Sequence, residues 1–570
     1  MGRRTETASN FKQLHHVSPT KESIFEGILK PFDASGKFRP SGAEGELRRL
    51  SVRSAGVTVF SQGVVFAVQM IATVVLARLL APADFGVVTM VTTFSLLLMS
   101  FGQNGYTEAV IQRSELDHFL ASNLFWINLG VGFVLAAGFA AAGSLMARFY
   151  HDPRVAHVAV GISLTIFICG TSVVHLALLK RALRFSVTSA NDILSGVISV
   201  AVTILLAWAG KGYWALVAGA VTRVLIQSIG AWYLCRWIPS FPRHAAGTAS
   251  VVRFALNVYG RFTLNYSARN TDNLLVGWRF GSSSLGFYKK AYDLFCLPAN
   301  QLLTPVLEVA LSALSRLERE SEQYRRYFLN GLSILAFVGM GVGGGLTLAG
   351  QDLIRFLLGP GWEVSGRIFT FFGPGIGIML LYNTSGLIHL SSGRADRWLR
   401  WVVVEFTVTF LLFLVGLHWG PIGIAAAWTA SFWILTLPAF WYAGRPIRFG
   451  VTPMVAVVWK YVLASLLAGC ASSAIIRQIP SLITAPGALG AAVRLGAISS
   501  LFTALYLGAV ILLHGGCDPL YRFAKLLPDI VPWAKISRSP ALSEAGSPQG
   551  LQEDSLLASE EPGLQTEEAR

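Results

Sequence analysis

Residues 398–417 read WLRWVVVEFTVTFLLFLVGL, and residues 420–442 read GPIGIAAAWTASFWILTLPAFWY. Each is a nearly continuous apolar run. Each is as long as the roughly 20 residues an α-helix needs to cross a bilayer core. Barrel strands would alternate apolar and polar residues in segments of about ten, and these runs do not alternate. An isolated strand leaves its backbone unsatisfied in hydrocarbon, so both runs are read as membrane-spanning helices.

Working outward, twelve more runs of this kind appear. The first six lie near 55–77, 85–105, 121–147, 155–178, 188–209 and 212–234. The next four lie near 252–276, 286–312, 329–350 and 366–390. The two quoted runs complete a second set of six. Two more follow near 455–476 and 491–514. The expected fold is all-α: a polytopic membrane protein of about 14 transmembrane helices, as two six-helix lobes plus two C-terminal helices. The composition agrees. Of 570 residues, 53% are hydrophobic and 14% charged, with mean hydropathy +0.55. Soluble domains carry about 25% charge, so a chain of several soluble domains is excluded.

The formal charge is nevertheless +15. Most of the excess is a topology signal. With a cytoplasmic N-terminus, alternate loops hold clusters such as Arg316, Arg319, Arg325 and Arg326, or Arg394, Arg397 and Arg400. Tails included, Lys and Arg number 30 on that side against 11 on the other. Cytoplasmic loops are enriched in these residues, so both termini are expected inside. No apolar core lies within the first 30 residues, so no cleavable signal peptide is read. Residues 1–53 are expected to be a disordered cytoplasmic tail, and 515–570 a cytoplasmic tail that is mostly disordered. The lobes are expected at 54–235 and 251–443, with two further helices in 452–514. Five scattered cysteines without metal spacing are read as packing residues.

An internal duplication is expected from spacing. ARLLAPADFG (77–86) and GWRFGSSSLG (277–286) each join a first span to a second, 200 residues apart. Glu108 and Glu308 close the paired second spans at the same offset. Two halves with a site between them are a common transporter plan.

A few charges do not belong to loops. Arg253 and Lys460 lie near span ends and are read as snorkelling. Arg223 is near the middle of the sixth span. The seventh span is unusually polar, NVYGRFTLNYSARNTDNLLVGW (257–278). At 100° per residue, Arg261, Asn265, Arg269 and Asp272 fall within one stripe. An Arg at mid-depth costs at least about 2.5–3.5 kcal/mol unless it meets water or a partner. Lys289, Lys290 and Asp293 continue the pattern, with 289 and 293 on one face and 290 turned away. Two readings are open. Arg261 or Arg269 pairs with Asp272 or Asp293 and fixes helix packing. Alternatively, Arg223, Arg261, Asn265, Arg269, Asp272, Lys289 and Asp293 line a cationic cavity for an anionic substrate. Arg suits phosphate through its planar fork. The intramembrane acids Asp192, Glu308 and Glu405 are read either as paired or as carriers of a coupling ion.

No Walker A pattern, HExxH or Ser/His/Asp set is legible, so no catalytic residue, metal site or cofactor is assigned. The GVGGG at 341–345 lies inside an apolar span with no Lys-Ser/Thr after it, and is read as close helix packing. No nucleic-acid partner is expected; lipid is.

Several stretches resemble one family. They are ARLLAPADFG (77–86), LGFYKKAYDLFCLPANQLLTPVLEVALSALSRLERESEQYRRYF (285–328), Gly361-Trp362 and SSGRADRWLRW (391–401). They are similar to the Wzx-type and colanic-acid-exporter-like polysaccharide exporters of the multidrug/oligosaccharidyl-lipid/polysaccharide superfamily. The resemblance covers about 55–515. It implies a flippase that carries an undecaprenyl-diphosphate-linked oligosaccharide across the bacterial inner membrane for exopolysaccharide or lipopolysaccharide synthesis. It implies alternating access, with the first and seventh helices lining a central cavity, and a polysaccharide polymerase and co-polymerase as partners. By position it points to Arg261, Arg269 and Asp272. Where the family pattern has Arg or Asn after its LGYY, this chain has Lys289. Two alternatives stand beside it: a multidrug or cation exporter of the same superfamily, and a membrane-embedded glycosyltransferase or ligase.

Overall fold

The computed structural model describes residues 31–33, 35–38, 63–100, 107–112, 116–243, 248–298, 304–317, 320–447, 449–479 and 487–530. For some helical residues in these stretches, Arg261, Asn265 and Glu308 among them, only the backbone is described. The described residues form helices, with no strand beyond two isolated bridges. In chain order they are α1 (Gly63–Leu79), α2 (Pro82–Ser100), α3 (Thr107–Gln112), α4 (His118–Tyr150), α5 (Arg154–Gly170), α6 (Val173–Arg181), α7 (Phe185–Trp208) and α8 (Tyr213–Leu234). The second half holds α9 (Thr248–Pro298), α10 (Thr304–Arg316), α11 (Ser321–Leu358), α12 (Glu363–Asn383), α13 (Ser385–Ser391), α14 (Ala395–Gly416) and α15 (Gly420–Gly444). Then come α16 (Val451–Arg477) and α17 (Gly487–His514). A separate unit from Cys517 onward holds α18 (Asp518–Ile530).

Where described, the fourteen expected runs are helical apart from short breaks, notably at Thr171–Ser172 in the fourth and Thr384 in the tenth. Length and apolarity alone pick out nine described stretches able to cross a membrane, or ten if bent α5–α6 counts as one span. The shortfall from fourteen has three causes. α14 and α15 fall within one stretch, α1 is described only from Gly63, and α9 carries too many polar residues. The expected seventh and eighth spans are also not separated by a loop. They are two arms of α9, broken only at Gly281 (φ 77°, ψ −178°). Asp272 and Tyr288 lie 16 positions apart yet touch at 2.7 Å. A straight helix would hold them about 24 Å apart, so the arms fold back on each other. The expected eighth span is helical to Pro298 and again, as α10, from Thr304; residues 299–303 lie outside the described residues.

The halves meet at the Gly281 end of α9, where α2 packs along α9. A Cβ on Gly86 would sit 1.7 Å from the Ser282 carbonyl oxygen, and a Cβ on Gly286 would sit 1.8 Å from that of Pro82. These four positions are 82, 86 and the same numbers plus 200. Position 86 touches 282, and 286 touches 82, the reciprocity of a two-fold contact. Only glycine lets the two backbones approach this closely. Polar ties surround the crossing. Arg154 donates to Asp152 (2.7 Å) and to the Ser282 hydroxyl (3.0 Å). Trp362 donates to the Ala77 carbonyl (2.8 Å), and Arg78 to that of Phe356 (3.2 Å). Thus the α4–α5 turn reaches the second half, and the α11–α12 turn reaches the first. Arg154 holds the Asp152 carboxyl below its usual range.

The last two helices of the main unit, α16 and α17, pack on α11. Arg494 donates to Asp352 across that contact (2.8 Å), and Ser465 to the Met340 carbonyl (2.9 Å). Cys169 and Cys235 pack in the interior as expected; Cys470 and Cys517 are exposed.

Two short stretches of the expected tails are ordered. α18 is one, which a mostly disordered C-terminal tail admits. The other, in the N-terminal tail expected to be disordered, is residues 31–33 and 35–38, which turn tightly against the start of α4. Asp33 accepts from the Ser35 and Lys37 backbone amides, and Gly36 takes φ +79°. Phe32 and Phe38 pack against the buried apolar cluster of α4, α6 and Trp237.

Candidate functional site

The polar stripe of α9 meets α12, α14 and α15. Arg269 lies 12 residues before the Gly281 break, about 18 Å along the helix at 1.5 Å per residue. That is near the middle of a bilayer core about 30 Å thick. Its side chain is exposed, yet Glu405 of α14, Tyr382 of α12, and Tyr292 and Cys296 of the second α9 arm all lie within its electrostatic reach. Exposure amid such neighbours places the guanidinium on an internal, water-accessible space. Among the described residues, no acid forms an ion pair with it within 4.0 Å.

Asp272, on the same stripe, behaves differently. It is 0% exposed. It accepts from the Tyr288 hydroxyl (2.7 Å), the Trp428 indole (2.9 Å) and the Asn273 amide (2.8 Å). Three donors satisfy a carboxylate that water cannot reach. One side chain thereby joins both arms of α9 to α15. The stripe straddles two environments: Asp272 faces the packed side, and Arg269, about 60° around the helix, faces the open side. The pairing of Arg269 with Asp272 that one reading anticipated does not form.

On the return arm, Lys289 pairs with Asp293 at 2.7 Å and lies over the Tyr292 ring (5.3 Å). Lys290 turns to the other half, over Phe85 of α2 (4.2 Å). Tyr288, Tyr292 and Phe295 at helical spacing stack toward Phe372, Trp428 and Phe432. The result is an aromatic wall beside the charges. Glu405 has the Tyr382 hydroxyl beside it and Arg269 within reach.

The structure therefore brings Arg269, Asp272, Lys289 and Asp293 to one region. The side chains of Arg261 and Asn265 lie outside the described residues. Arg223 does not join the group. It lines a separate cavity of about 170 Å³ between α1, α7 and α8, with Val65, Gln69, Gly196 and Ser199. Asp192 is satisfied by Gln227 (2.7 Å), and the Glu308 side chain is not described. Sequence reasoning missed the aromatic wall and the clasp on Asp272. The signal for the wall was present as YKKAYDLF (288–295). Among the described residues, no group of three or more His, Cys, Asp or Glu is placed to hold a metal.

The fold is a helical bundle of two reciprocally packed halves with charges held between its helices. Residues 75–366 match the family described as "Polysaccharide biosynthesis protein", and the chain belongs to that family. It is 26% identical over 316 residues to the teichuronic acid biosynthesis protein TuaB of Bacillus subtilis, covering 54% of this chain and 64% of that one. It is 21% identical to the succinoglycan biosynthesis transport protein ExoT of Rhizobium meliloti, covering 63% and 72%. It is also 21% identical to the lipopolysaccharide biosynthesis protein WzxC of Escherichia coli, covering 56% and 65%. The chain thus spans just under two thirds of the Bacillus and Escherichia relatives. The fold is shared with solved transporters. The lipid II flippase MurJ, in an inward closed conformation, superposes with TM-score 0.63 at 12% identity over 80% of this chain and 98% of that one. An inward-facing multidrug-resistance MATE transporter of the MOP superfamily gives 0.56 at 12% identity, over 67% and 94%. The chain thus joins membership of the polysaccharide biosynthesis family to an all-helical fold shared with these solved structures.

Proposed function

We propose that this protein moves an undecaprenyl-diphosphate-linked oligosaccharide across the bacterial cytoplasmic membrane by alternating access. Both termini are cytoplasmic in this reading, and the two halves rock about the α2–α9 crossing. The diphosphate sits at Arg269, the sugars occupy the water-accessible space beside it, and the polyprenyl tail stays in lipid. The observation that carries the reading is Arg269. It is an accessible guanidinium at mid-membrane depth with no ion pair within 4.0 Å among the described residues. Holding a charge there is costly, and an anionic ligand compensates it. Of the acids nearby, Asp272 is engaged by Tyr288 and Trp428 and Asp293 by Lys289, which leaves Glu405 as the one acid within reach of Arg269. Relatives named for succinoglycan transport and lipopolysaccharide biosynthesis support the substrate class.

The test is a flipping assay in proteoliposomes with a fluorescent diphosphate-linked lipid oligosaccharide. Arg269→Ala should lower the rate at least tenfold, about 1.4 kcal/mol or more of lost binding. Arg269→Lys should recover part of it. Flipping at the normal rate by folded Arg269→Ala would overturn the assignment. One observation favours a second reading, a drug or cation exporter. Asp272, Asp293 and Glu405 outnumber Arg269 and Lys289 among the described charges. Restored drug resistance in a complemented efflux-deficient strain would establish that reading instead.

A further inference from the structure

We propose that residues 31–38 are a displaceable strap that fixes the linker between the two halves and so biases how they rock. The linker leaves α8 and runs through Trp237, Ser240 and Arg243 toward α9. Its contacts gather on one face of the first turns of α4. The Trp237 indole donates to His118 Nδ1 (2.9 Å), and the Ser240 amide to the Ser122 hydroxyl (3.1 Å). Trp126 donates to the Ser240 carbonyl (2.8 Å), and Arg243 and Asn123 exchange two bonds (3.0 and 2.6 Å). Positions 118, 122, 123 and 126 share a helix face by spacing, so this face is a cradle for the linker.

The strap lies against the same cradle. The His118 amide donates to the Gly36 carbonyl (2.9 Å), and the Phe38 amide to that of Leu116 (3.1 Å). His118 is thus shared: its backbone holds the strap and its ring holds the linker. The Phe32 ring contacts both His118 (5.4 Å) and Trp237 (6.1 Å). Phe38 lies under the Arg181 guanidinium (4.9 Å), at the end of α6. The strap consequently ties two chain segments of the first half, the start of α4 and the end of α6, to the linker. Its own hold is modest. Two half-buried phenylalanines and a few backbone bonds stand against the ordering of eight residues, and those opposing terms are of similar size. A contact so balanced can open without unfolding the bundle. The consequence for transport rests on the alternating-access reading above; the coupling of strap to linker does not.

The experiment uses the full chain in nanodiscs, with Ser240→Cys as the only reactive thiol after replacement of Cys296, Cys470 and Cys517. Phe32→Ala with Phe38→Ala should raise the maleimide labelling rate at position 240 about tenfold through local opening. A second arm places cysteines at Lys37 and Asp117, which face each other across an antiparallel bridge. Oxidation should lower labelling of the peptide that carries position 240, resolved by mass spectrometry from those carrying 37 and 117, below that of the reduced sample and slow flipping, and reductant should restore both. Comparing one preparation oxidised and reduced removes any folding defect of the variants. Unchanged labelling at position 240 in both arms would overturn the strap. A chain that flips nothing while its labelling follows the strap would instead overturn the transport reading and leave the coupling standing.

Discussion

Gly86→Ala should open the closed end of the bundle. The new Cβ would lie 1.7 Å from the Ser282 carbonyl oxygen, with the Ser282 carbonyl carbon at 2.5 Å. Both atoms are backbone, so no flexible side chain can step aside. Overpacking of this kind costs about 1–3 kcal/mol. The cost falls only on the state in which α2 and α9 touch, so it shifts the conformational equilibrium by about 5- to 150-fold. A cysteine at Val87, which is fully buried beside the crossing, reports the change. Its labelling from the outer face should rise by that factor. Gly286→Ala should act alike, since its Cβ would meet the Pro82 carbonyl at 1.8 Å. The two substitutions share one crossing, so they should not add. Gly138→Ala, with nothing within 4 Å, should leave labelling unchanged. Labelling of position 87 within twofold of the parent, in protein that melts normally, would refute the claim that this contact closes the end.

Three further outcomes follow from the same structure. Asp272→Ala leaves the Tyr288 hydroxyl and Trp428 indole without their acceptor at about 1–3 kcal/mol each; thermal unfolding in detergent should fall by several degrees, and less for Asp272→Asn. Arg494→Ala strands Asp352, partly buried, at up to about 3 kcal/mol; the melting temperature should drop while flipping persists, since α16 and α17 lie outside the Arg269 region. The Asp152 carboxyl is held below its usual range by Arg154. Its contribution is therefore complete above the ordinary carboxylate value of about 4 and lost as pH falls through the lower folded value. The melting-temperature gap between wild type and Asp152→Asn should be flat from pH 8 to 5 and close below about pH 4.

The helices were legible because an apolar run of membrane length has few other solutions. The duplication was legible from spacing alone, and its 200-residue offset reappears as the reciprocal Gly86 and Gly286 contacts. Other features need the third dimension. Asp272 and Arg269 share a stripe, but which one meets Tyr288 and Trp428 depends on where α15 lies. Arg223 was as well placed in depth as Arg269, yet its helix packs against α1 and α7. Residues 31–38 read as a polar tail because their order comes from one Asx turn and two rings, not from a long apolar run. The break at Gly281 read as a loop because glycine marks either outcome.

The reciprocal contact of positions 82 and 86 with 286 and 282 has a consequence for ancestry. An interface in which each partner offers the same patch is what a homodimer has, and two copies of one unit joined end to end would keep it. Joining would also release each copy from the other's constraints. Two hundred positions before Arg269, Asp272, Lys289 and Asp293 stand Gln69, Ala72, Thr89 and Thr93. A self-paired ancestor would have carried every charge twice, facing itself across the axis. This chain carries these four in one half alone, so halves that touch alike differ in which of them holds the charges.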